Sequence, residues 1–165
     1  MLRGIRDMED HAGRRSGAGV WTLLFPLTYA LHVGEEYWGG ESFWRWMSRV
    51  SGASLSEAEF VAINAVGLVV VTVVAVAAAS SARAAGFAVP ALGTIVAVNG
   101  SLHLVASLLT GSYSPGVVSG LLLWLPLGVH ALRRAWREQA SAGFATGVLV
   151  GLAAHAAVSL VALFA

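Results

Sequence analysis

Apolar residues occur along the chain in five long blocks, which are separated by short segments rich in glycine, serine and arginine. Each block approaches the roughly 20 residues that a helix needs to cross the core of a bilayer. We therefore predict an all-α fold, a polytopic membrane bundle of five transmembrane helices. The predicted bounds are Trp21–Trp38, Glu57–Ser80, Ala88–Thr110, Gly116–Trp136 and Gly143–Phe164.

The polar segments complete the predicted domain organisation. Residues 1–18 mix arginine with acidic residues, glycine and serine, which favours a polar tail in the cytoplasm, and residues 19–165 then form a single transmembrane domain. Between the first two predicted helices, residues 41–52 combine tryptophan with arginine, a composition typical of a segment in the headgroup layer. Two overlapping capping boxes, Ser54 with Glu57 and Ser56 with Glu59, predict the start of the second helix.

The overall composition supports a membrane protein. Hydrophobic residues make up 57% of the chain and charged residues 12%, and the formal net charge is +1. A soluble domain usually has about 25% charged residues, and a nucleic-acid-binding surface needs a broad basic patch. These values exclude a water-soluble globule, a disordered chain and a nucleic-acid binder. The expected partners are membrane lipids and a small lipophilic substrate, and a homo-oligomer stays open.

The distribution of the arginines predicts the orientation in the membrane. All ten basic residues are arginines, and they lie between the apolar blocks. In the five-helix arrangement, eight of them fall on the side of the N-terminus and only Arg45 and Arg49 fall on the other side. Arginine-rich loops stay in the cytoplasm. We therefore expect a multi-pass protein of the inner (plasma) membrane with a cytoplasmic N-terminus and an extracytoplasmic C-terminus.

Several polar residues interrupt the apolar blocks, where an ionisable side chain costs about 2.5–3.5 kcal/mol to insert and therefore faces the bundle interior by default. At a rise of about 1.5 Å per residue, most of them fall in one layer about 16–24 Å from the cytoplasmic end. His130 falls at only about 9 Å and is predicted to stand apart, near the interface. The residues predicted to share the layer are His32, Glu36, Asn64, Asn99, His103 and His155.

Helical spacing predicts which faces present these groups. His32, Glu35 and Glu36 are three and four residues apart, so both carboxylates can reach the imidazole. On the last predicted helix, glycines recur every four residues up to His155, and such a stripe lets helices approach closely. Two adjacent carboxylates in an apolar helix need a cation or a histidinium beside them. Asn64 is equally explained by a hydrogen bond between helices.

Three motifs resemble those of a known family. The segment from His32 to Glu35-Glu36 has the form H-x-x-E-E, and two further segments, Asn99–His103 and Tyr113–Gly116, follow in order. Together they are similar to the HXXEE-motif family of small bacterial integral-membrane proteins. The resemblance implies that His32, Glu35, Glu36, Asn99 and His103 are important, and it implies no substrate.

Three hypotheses about the chemistry follow. In the first, a membrane enzyme binds a divalent metal, zinc or iron, through nitrogen and oxygen ligands and acts on a small lipophilic substrate. In the second, a buried glutamate performs metal-free acid/base chemistry on an isoprenoid-like lipid, as an isomerase or a cyclase. The third is a proton-coupled transporter or a ligand-binding membrane protein. The predicted catalytic residues are His32, Glu35, Glu36 and Asn99, and the predicted metal ligands are His32, Glu35, Glu36, His103 and His155.

Overall fold

The computed structural model describes residues 18–138 and 142–164, and this part of the chain is helical without a β-strand. A short 3₁₀ turn, Val20–Leu23, leads into the first α-helix, and a π-helical segment, Gly120–Trp124, lies between the fifth and the sixth α-helix. The predicted tail lies outside the described residues except for Ala18. The α-helices are α1 (Leu24–Trp38), α2 (Phe43–Ser51), α3 (Glu57–Ser80), α4 (Ala82–Thr110), α5 (Val117–Ser119), α6 (Leu125–Glu138) and α7 (Ala142–Phe164).

The second predicted helix has the bounds that the sequence indicates, Glu57–Ser80. The second of the two capping boxes starts it, because the Ser56 hydroxyl accepts from the Glu59 amide at 3.3 Å and the Glu59 carboxylate accepts from the Ser56 amide at 2.8 Å. The predicted interfacial segment contains the short helix α2. Local sequence therefore indicates where α3 begins and where α2 lies.

The third predicted helix begins earlier than expected, at Ala82 instead of Ala88. The Ser81 hydroxyl accepts a hydrogen bond from the Ala84 amide at 3.4 Å, so the helix is capped before Arg83. Pro90 lies inside the helix and is buried, and the Thr94 hydroxyl bonds its carbonyl oxygen at 2.8 Å. The resulting long helix α4 packs against α3, α6 and α7 and is the centre of the bundle.

The fourth predicted helix is interrupted. Helical structure extends from Val117 to Glu138, but the π-helical segment separates α5 from α6. Gly120 in this segment lies directly against Gly100 of α4. A β-carbon on Gly100 would come within 2.6 Å of the Gly120 carbonyl oxygen. Because both contact residues are glycines, the two backbones approach closely at the level of the candidate site.

The glycine stripe on α7 packs against α4, as expected. A β-carbon on Gly147 would lie 2.5 Å from the Phe87 carbonyl oxygen, and one on Gly151 would lie 2.6 Å from that of Ala91. The core between the helices is formed by buried apolar side chains that include Phe25, Val89, Leu92 and Trp124. This packing fixes the position of α4, which carries part of the site.

Three helices are long and apolar enough to cross a membrane, and their spans are Glu57–Ser80, Ala82–Thr110 and Gly143–Phe164. Many of their valine and leucine side chains point outward, which suits contact with lipid. Within the described residues, the first and fourth predicted spans are not among the three helices that are long and apolar enough to cross a membrane. Helix α1 has 15 residues, and the fourth span is divided by the π-helical segment.

Candidate metal centre

Three buried side chains from two helices meet inside the bundle. His32 and Glu36 lie one turn apart on α1, and His103 comes from α4. Their potential ligand atoms all lie within 4.8 Å of one another. The Glu36 Oε1 atom is 3.3 Å from His103 Nε2 and 3.6 Å from His32 Nε2. We call these three residues the His–Glu–His cluster.

Two serines hold the imidazole rings from behind. His32 Nδ1 lies 2.8 Å from the Ser119 hydroxyl, and His103 Nδ1 lies 3.0 Å from the Ser114 hydroxyl. Both serines belong to the segment that joins α4 to the π-helix. Metal-binding histidines in proteins usually have such a partner on the second ring nitrogen, which fixes the orientation of the ring.

The hydrogen bonds of Ser119 indicate the tautomer of His32. The Ser119 hydroxyl lies 3.4 Å from the Gly116 carbonyl oxygen, and in the tautomer in which it donates there, its oxygen accepts the proton on His32 Nδ1. The Nε2 atom then carries a lone pair. It is buried, it has no hydrogen-bond partner in the described part of the chain, and it faces the Glu36 carboxylate. A cation between the two groups would satisfy both of them.

Aromatic rings surround the cluster. The indole of Trp124 stacks on His32 with 3.7 Å between ring centroids and 24° between planes, and His103 meets His32 edge-on at 5.0 Å. Phe43 of α2 packs beside His103 at 5.9 Å. The amphipathic helix α2 therefore covers the site, and the stacked rings hold the two imidazoles in place.

Gly116 closes the cluster from the loop side. Its φ angle is +96°, which favours glycine. A β-carbon at this position would lie 2.8 Å from His32 Cε1, 2.9 Å from His103 Cε1 and 3.1 Å from Glu36 Cγ. The backbone of this loop thus packs directly on all three side chains, and only glycine leaves room for them.

Glu35 does not join the cluster, although the sequence analysis assigned it as a catalytic residue and a metal ligand. Its carboxylate accepts hydrogen bonds from the backbone amides of Val118 at 2.9 Å and Ser119 at 2.6 Å, and from the Tyr113 hydroxyl. These amides lie in the first turn of α5, where a carboxylate is favourable. Burial and the bond to Glu35 raise the pKa of Tyr113 to about 12. The two adjacent glutamates therefore occupy different environments, and only Glu36 lies in the His–Glu–His cluster.

The two asparagines have separate surroundings. The amide of Asn99 interacts with the His32 ring, and its Oδ1 atom is buried without a hydrogen-bond partner of standard geometry in the described residues. Asn64 lies outside the cluster, where it accepts from the Tyr29 hydroxyl at 3.0 Å and donates to the Phe60 carbonyl oxygen at 3.0 Å. Asn64 thus links α1 to α3, which agrees with the structural interpretation of this residue.

His155 is not one of the three residues whose ligand atoms converge, although its ring is near enough to His103 for the two to interact electrostatically. Helix α7 packs tightly at Gly147 and Gly151, but one turn further His155 is only half-buried. Its Nε2 atom lies 3.5 Å from the hydroxyl of Ser159 on the same helix. His130 is exposed and contacts Trp21 edge-on at 5.3 Å, apart from the cluster as predicted.

Three residues that support the cluster were not predicted from the sequence, namely Ser114, Gly116 and Ser119. Ser114 and Gly116 lie in the third motif, Tyr113–Gly116, so the motif pointed to this loop without indicating what it contacts. Ser119 carries no recognisable pattern. Their roles depend on how the loop folds back onto α1, which local spacing does not encode.

A family model described as "Protein of unknown function with HXXEE motif" matches residues 23–131. The matched region contains the cluster, both serines and Gly116, and it confirms the resemblance inferred from the motifs. Neither the curated proteins nor the solved structures include a match to this chain.

Proposed function

The chain belongs to the family of proteins of unknown function with the HXXEE motif, and from this premise we propose that it is an integral-membrane metalloenzyme. In this proposal His32, Glu36 and His103 bind one divalent metal ion, zinc or non-haem iron. The substrate is a small lipophilic molecule that reaches the site from the membrane. Zinc sites with three protein ligands and one open position are typical of catalytic centres.

The observation that carries the proposal is the pairing of a bare imidazole nitrogen with a buried carboxylate. His32 Nε2 lacks a hydrogen-bond partner in the described residues and lies 3.6 Å from Glu36 Oε1. Two electron-rich atoms at this distance repel each other unless a metal cation or a proton lies between them, and the proposal assigns a metal cation to this position. His103 Nε2, at 3.3 Å from the same oxygen, provides the third ligand. The serines on both Nδ1 atoms complete the arrangement that metal-binding histidines prefer.

The metal would supply a Lewis acid and an activated water at the open position. The role of the surrounding residues follows from their contacts. The unpaired Oδ1 of Asn99 is available as an acceptor for a water or for a substrate hydroxyl. Trp124 and Phe43 provide apolar walls against the imidazoles, which suits a lipophilic substrate. Glu35 is a positioning residue, because it holds the turn that contains Ser119.

The proposal includes five membrane spans in the inner (plasma) membrane, with a cytoplasmic N-terminus and an extracytoplasmic C-terminus. The three long apolar helices and the positive-inside distribution of arginines support this arrangement. The cluster would then lie in the outer half of the bundle. Helix α2, with its aromatic and arginine side chains, would lie in the headgroup layer above it.

A second candidate is a metal-free acid/base enzyme, an isomerase or a cyclase of an isoprenoid-like lipid. The 3.3 Å contact between Glu36 Oε1 and His103 Nε2 favours it, because a buried carboxyl group and an imidazole at this distance can share a proton. In this case no metal is bound, and Glu36 is the acid. The two candidates differ in what neutralises Glu36, so a single variant separates them.

Elemental analysis of the detergent-purified protein, with and without chelator, tests the proposal. We expect about one equivalent of zinc or iron per chain, and Glu36→Gln should lose both the metal and thermal stability, because metal binding stabilises the folded state. His155→Ala is the matched control and should keep the metal, since His155 lies outside the cluster. A metal-free protein whose Glu36→Gln variant is equally or more stable would reject the metal and support the second candidate.

A further inference from the structure

A wide, open depression, which we call the groove, lies on the exposed side of α6, at the opposite end of the 117–138 segment from the cluster, and all its described lining residues belong to α6. It has a volume of about 690 Å³. Trp124 stacks on His32, whereas Arg133 and Arg137 lie about 14–20 Å further along the helical segment at a rise of about 1.5 Å per residue. The groove is therefore separate from the candidate metal centre.

The groove changes from apolar to basic along the helix axis. Pro126 and Val129 line the end nearer the middle of the segment, and His130, Arg133 and Arg137 line the end nearer its C-terminus. Val129, Arg133 and Arg137 follow one another at intervals of four residues, so they share one helical face. An apolar surface that leads into a basic one matches an amphiphile with an acyl chain and an anionic head.

Two of the arginines have no acidic partner in the described residues. Arg134 bonds Glu138 at 2.9 Å and lies over the Trp21 ring at 5.4 Å, so the one acidic side chain that lines the groove is already paired. Arg133 and Arg137 are exposed, and no ion pair to either is found within 18–138 and 142–164. The groove thus presents two positive charges that no acidic residue in the described part of the chain neutralises.

Trp136 indicates the depth of this end of the helix. Its side chain is 61% exposed and contacts Phe144 of α7 edge-on at 5.3 Å. Exposed tryptophans with arginines one turn away are typical of the membrane–water interface. In the proposed topology this is the cytoplasmic face, where anionic lipids attract basic side chains.

We infer that this groove binds an anionic phospholipid, with the phosphate between Arg133 and Arg137 and an acyl chain along Val129 and Pro126. The inference relies on the proposed membrane orientation but not on the metal or on catalysis. Guanidinium groups recognise phosphate oxygens through paired hydrogen bonds. A bound lipid would tie the end of α6 to the membrane on the side away from the metal centre.

Lipid titration of the purified full-length protein in detergent tests the inference. Phosphatidylglycerol should raise the thermal midpoint and phosphatidylcholine of the same chain length should not, because a ligand of the folded state stabilises it. The double variant Arg133→Gln/Arg137→Gln should weaken the apparent affinity for phosphatidylglycerol about 10-fold or more. The matched control Arg45→Gln/Arg83→Gln removes the same charge from two exposed positions outside the groove and should leave the affinity unchanged.

Three outcomes would overturn the inference. Equal stabilisation by both lipids would show that the charge of the headgroup is not recognised. Equal loss of affinity in the two double variants would show that net charge, and not the groove, attracts the lipid. If inorganic phosphate stabilises the protein as much as phosphatidylglycerol does, the arginines bind a free anion and not a lipid. The metal content of every variant should stay at the wild-type value, so failure here is distinct from failure of the metal proposal.

Discussion

Gly116 is the residue on which the geometry of the cluster depends most strictly. Its backbone has a left-handed conformation, and its α-carbon faces all three members of the His–Glu–His cluster. Gly111, five residues earlier in the same loop, has a φ angle of +60° but open space around it. A side chain at Gly111 would strain only the backbone, whereas one at Gly116 would also collide with the cluster. Comparing the two substitutions therefore distinguishes the two effects.

We predict that Gly116→Ala destabilises the protein by about 1–3 kcal/mol more than Gly111→Ala does, because the new methyl group overpacks the cluster in addition to straining the backbone. Gly116→Ala should also lose the bound metal, whereas Gly111→Ala should keep it. Thermal unfolding in detergent and metal analysis of both variants provide the test. Equal destabilisation of the two, with metal retained, would contradict the close packing of this loop on the cluster.

At the residue scale, the sequence predicted some members of the site and not others. His32 and Glu36 follow from their spacing on one helix, and His103 follows from its depth in the bundle. Depth alone does not determine which way a side chain turns, so His155 was placed in the cluster although it is only half-buried beside Ser159. The place of Glu35 outside the cluster was not predictable, because its partners are backbone amides of a distant turn, which carry no sequence pattern.

At the element scale, Glu35 joins α1 to the start of the fourth helical segment. A carboxylate that accepts from the first amides of a helix stabilises the helix N-terminus. The turn that it holds contains Ser119, which in turn orients His32. The two adjacent glutamates therefore have different roles. Glu35 joins α1 to the start of the fourth helical segment, and Glu36 belongs to the cluster.

We predict that Glu35→Gln lowers stability by about 1–2 kcal/mol, since a neutral amide is a poorer partner for two backbone amides and a tyrosine hydroxyl. The variant should nevertheless retain about one equivalent of metal, because Glu35 lies outside the cluster. Glu36→Gln is the isosteric comparison and should lose the metal. A Glu35→Gln protein that loses metal as completely as Glu36→Gln does would disprove this division of roles.

Helix bounds were predictable where local sequence determines them. The capping box at Ser56 and Glu59 fixed the start of α3, and the tryptophan- and arginine-rich segment predicted α2. The π-helical segment was not predicted, because apolar spacing does not reveal a change from four-residue to five-residue hydrogen bonding. It lies where Gly120 meets Gly100, so the interruption reflects a contact between distant parts of the chain.

At the scale of the whole molecule, the proposed topology can be tested apart from the site. We predict that a reporter fused after Ala165 lies on the extracytoplasmic side and that one inserted at residues 140–142 lies in the cytoplasm. Because eight of ten arginines fall on the predicted cytoplasmic side, replacing the arginines of a single loop should not reverse the orientation. Both reporters on the same side, or a reversed pattern, would contradict the five-span arrangement.

Membrane character and an all-helical fold were predictable from composition and from the length of the apolar blocks. Three of the five predicted spans coincide with helices long enough to cross a membrane, and the central position of α4 follows from its contacts on three sides. The first and fourth spans are shorter or interrupted, and both carry residues of the site. Helix α1 has only 15 residues and the π-helical segment divides the fourth span, so neither forms a single long membrane helix.

X-ray absorption spectroscopy of the zinc-loaded full-length protein tests the central claim most directly. The account predicts two imidazole nitrogens at about 2.0–2.1 Å and a carboxylate oxygen at about 2.0–2.2 Å from the metal. His32→Ala and His103→Ala should each remove one imidazole from the spectrum, and His155→Ala should leave it unchanged. Zinc that binds without imidazole ligands, or a spectrum that the His32→Ala and His103→Ala substitutions do not alter, would contradict a metal centre at the His–Glu–His cluster.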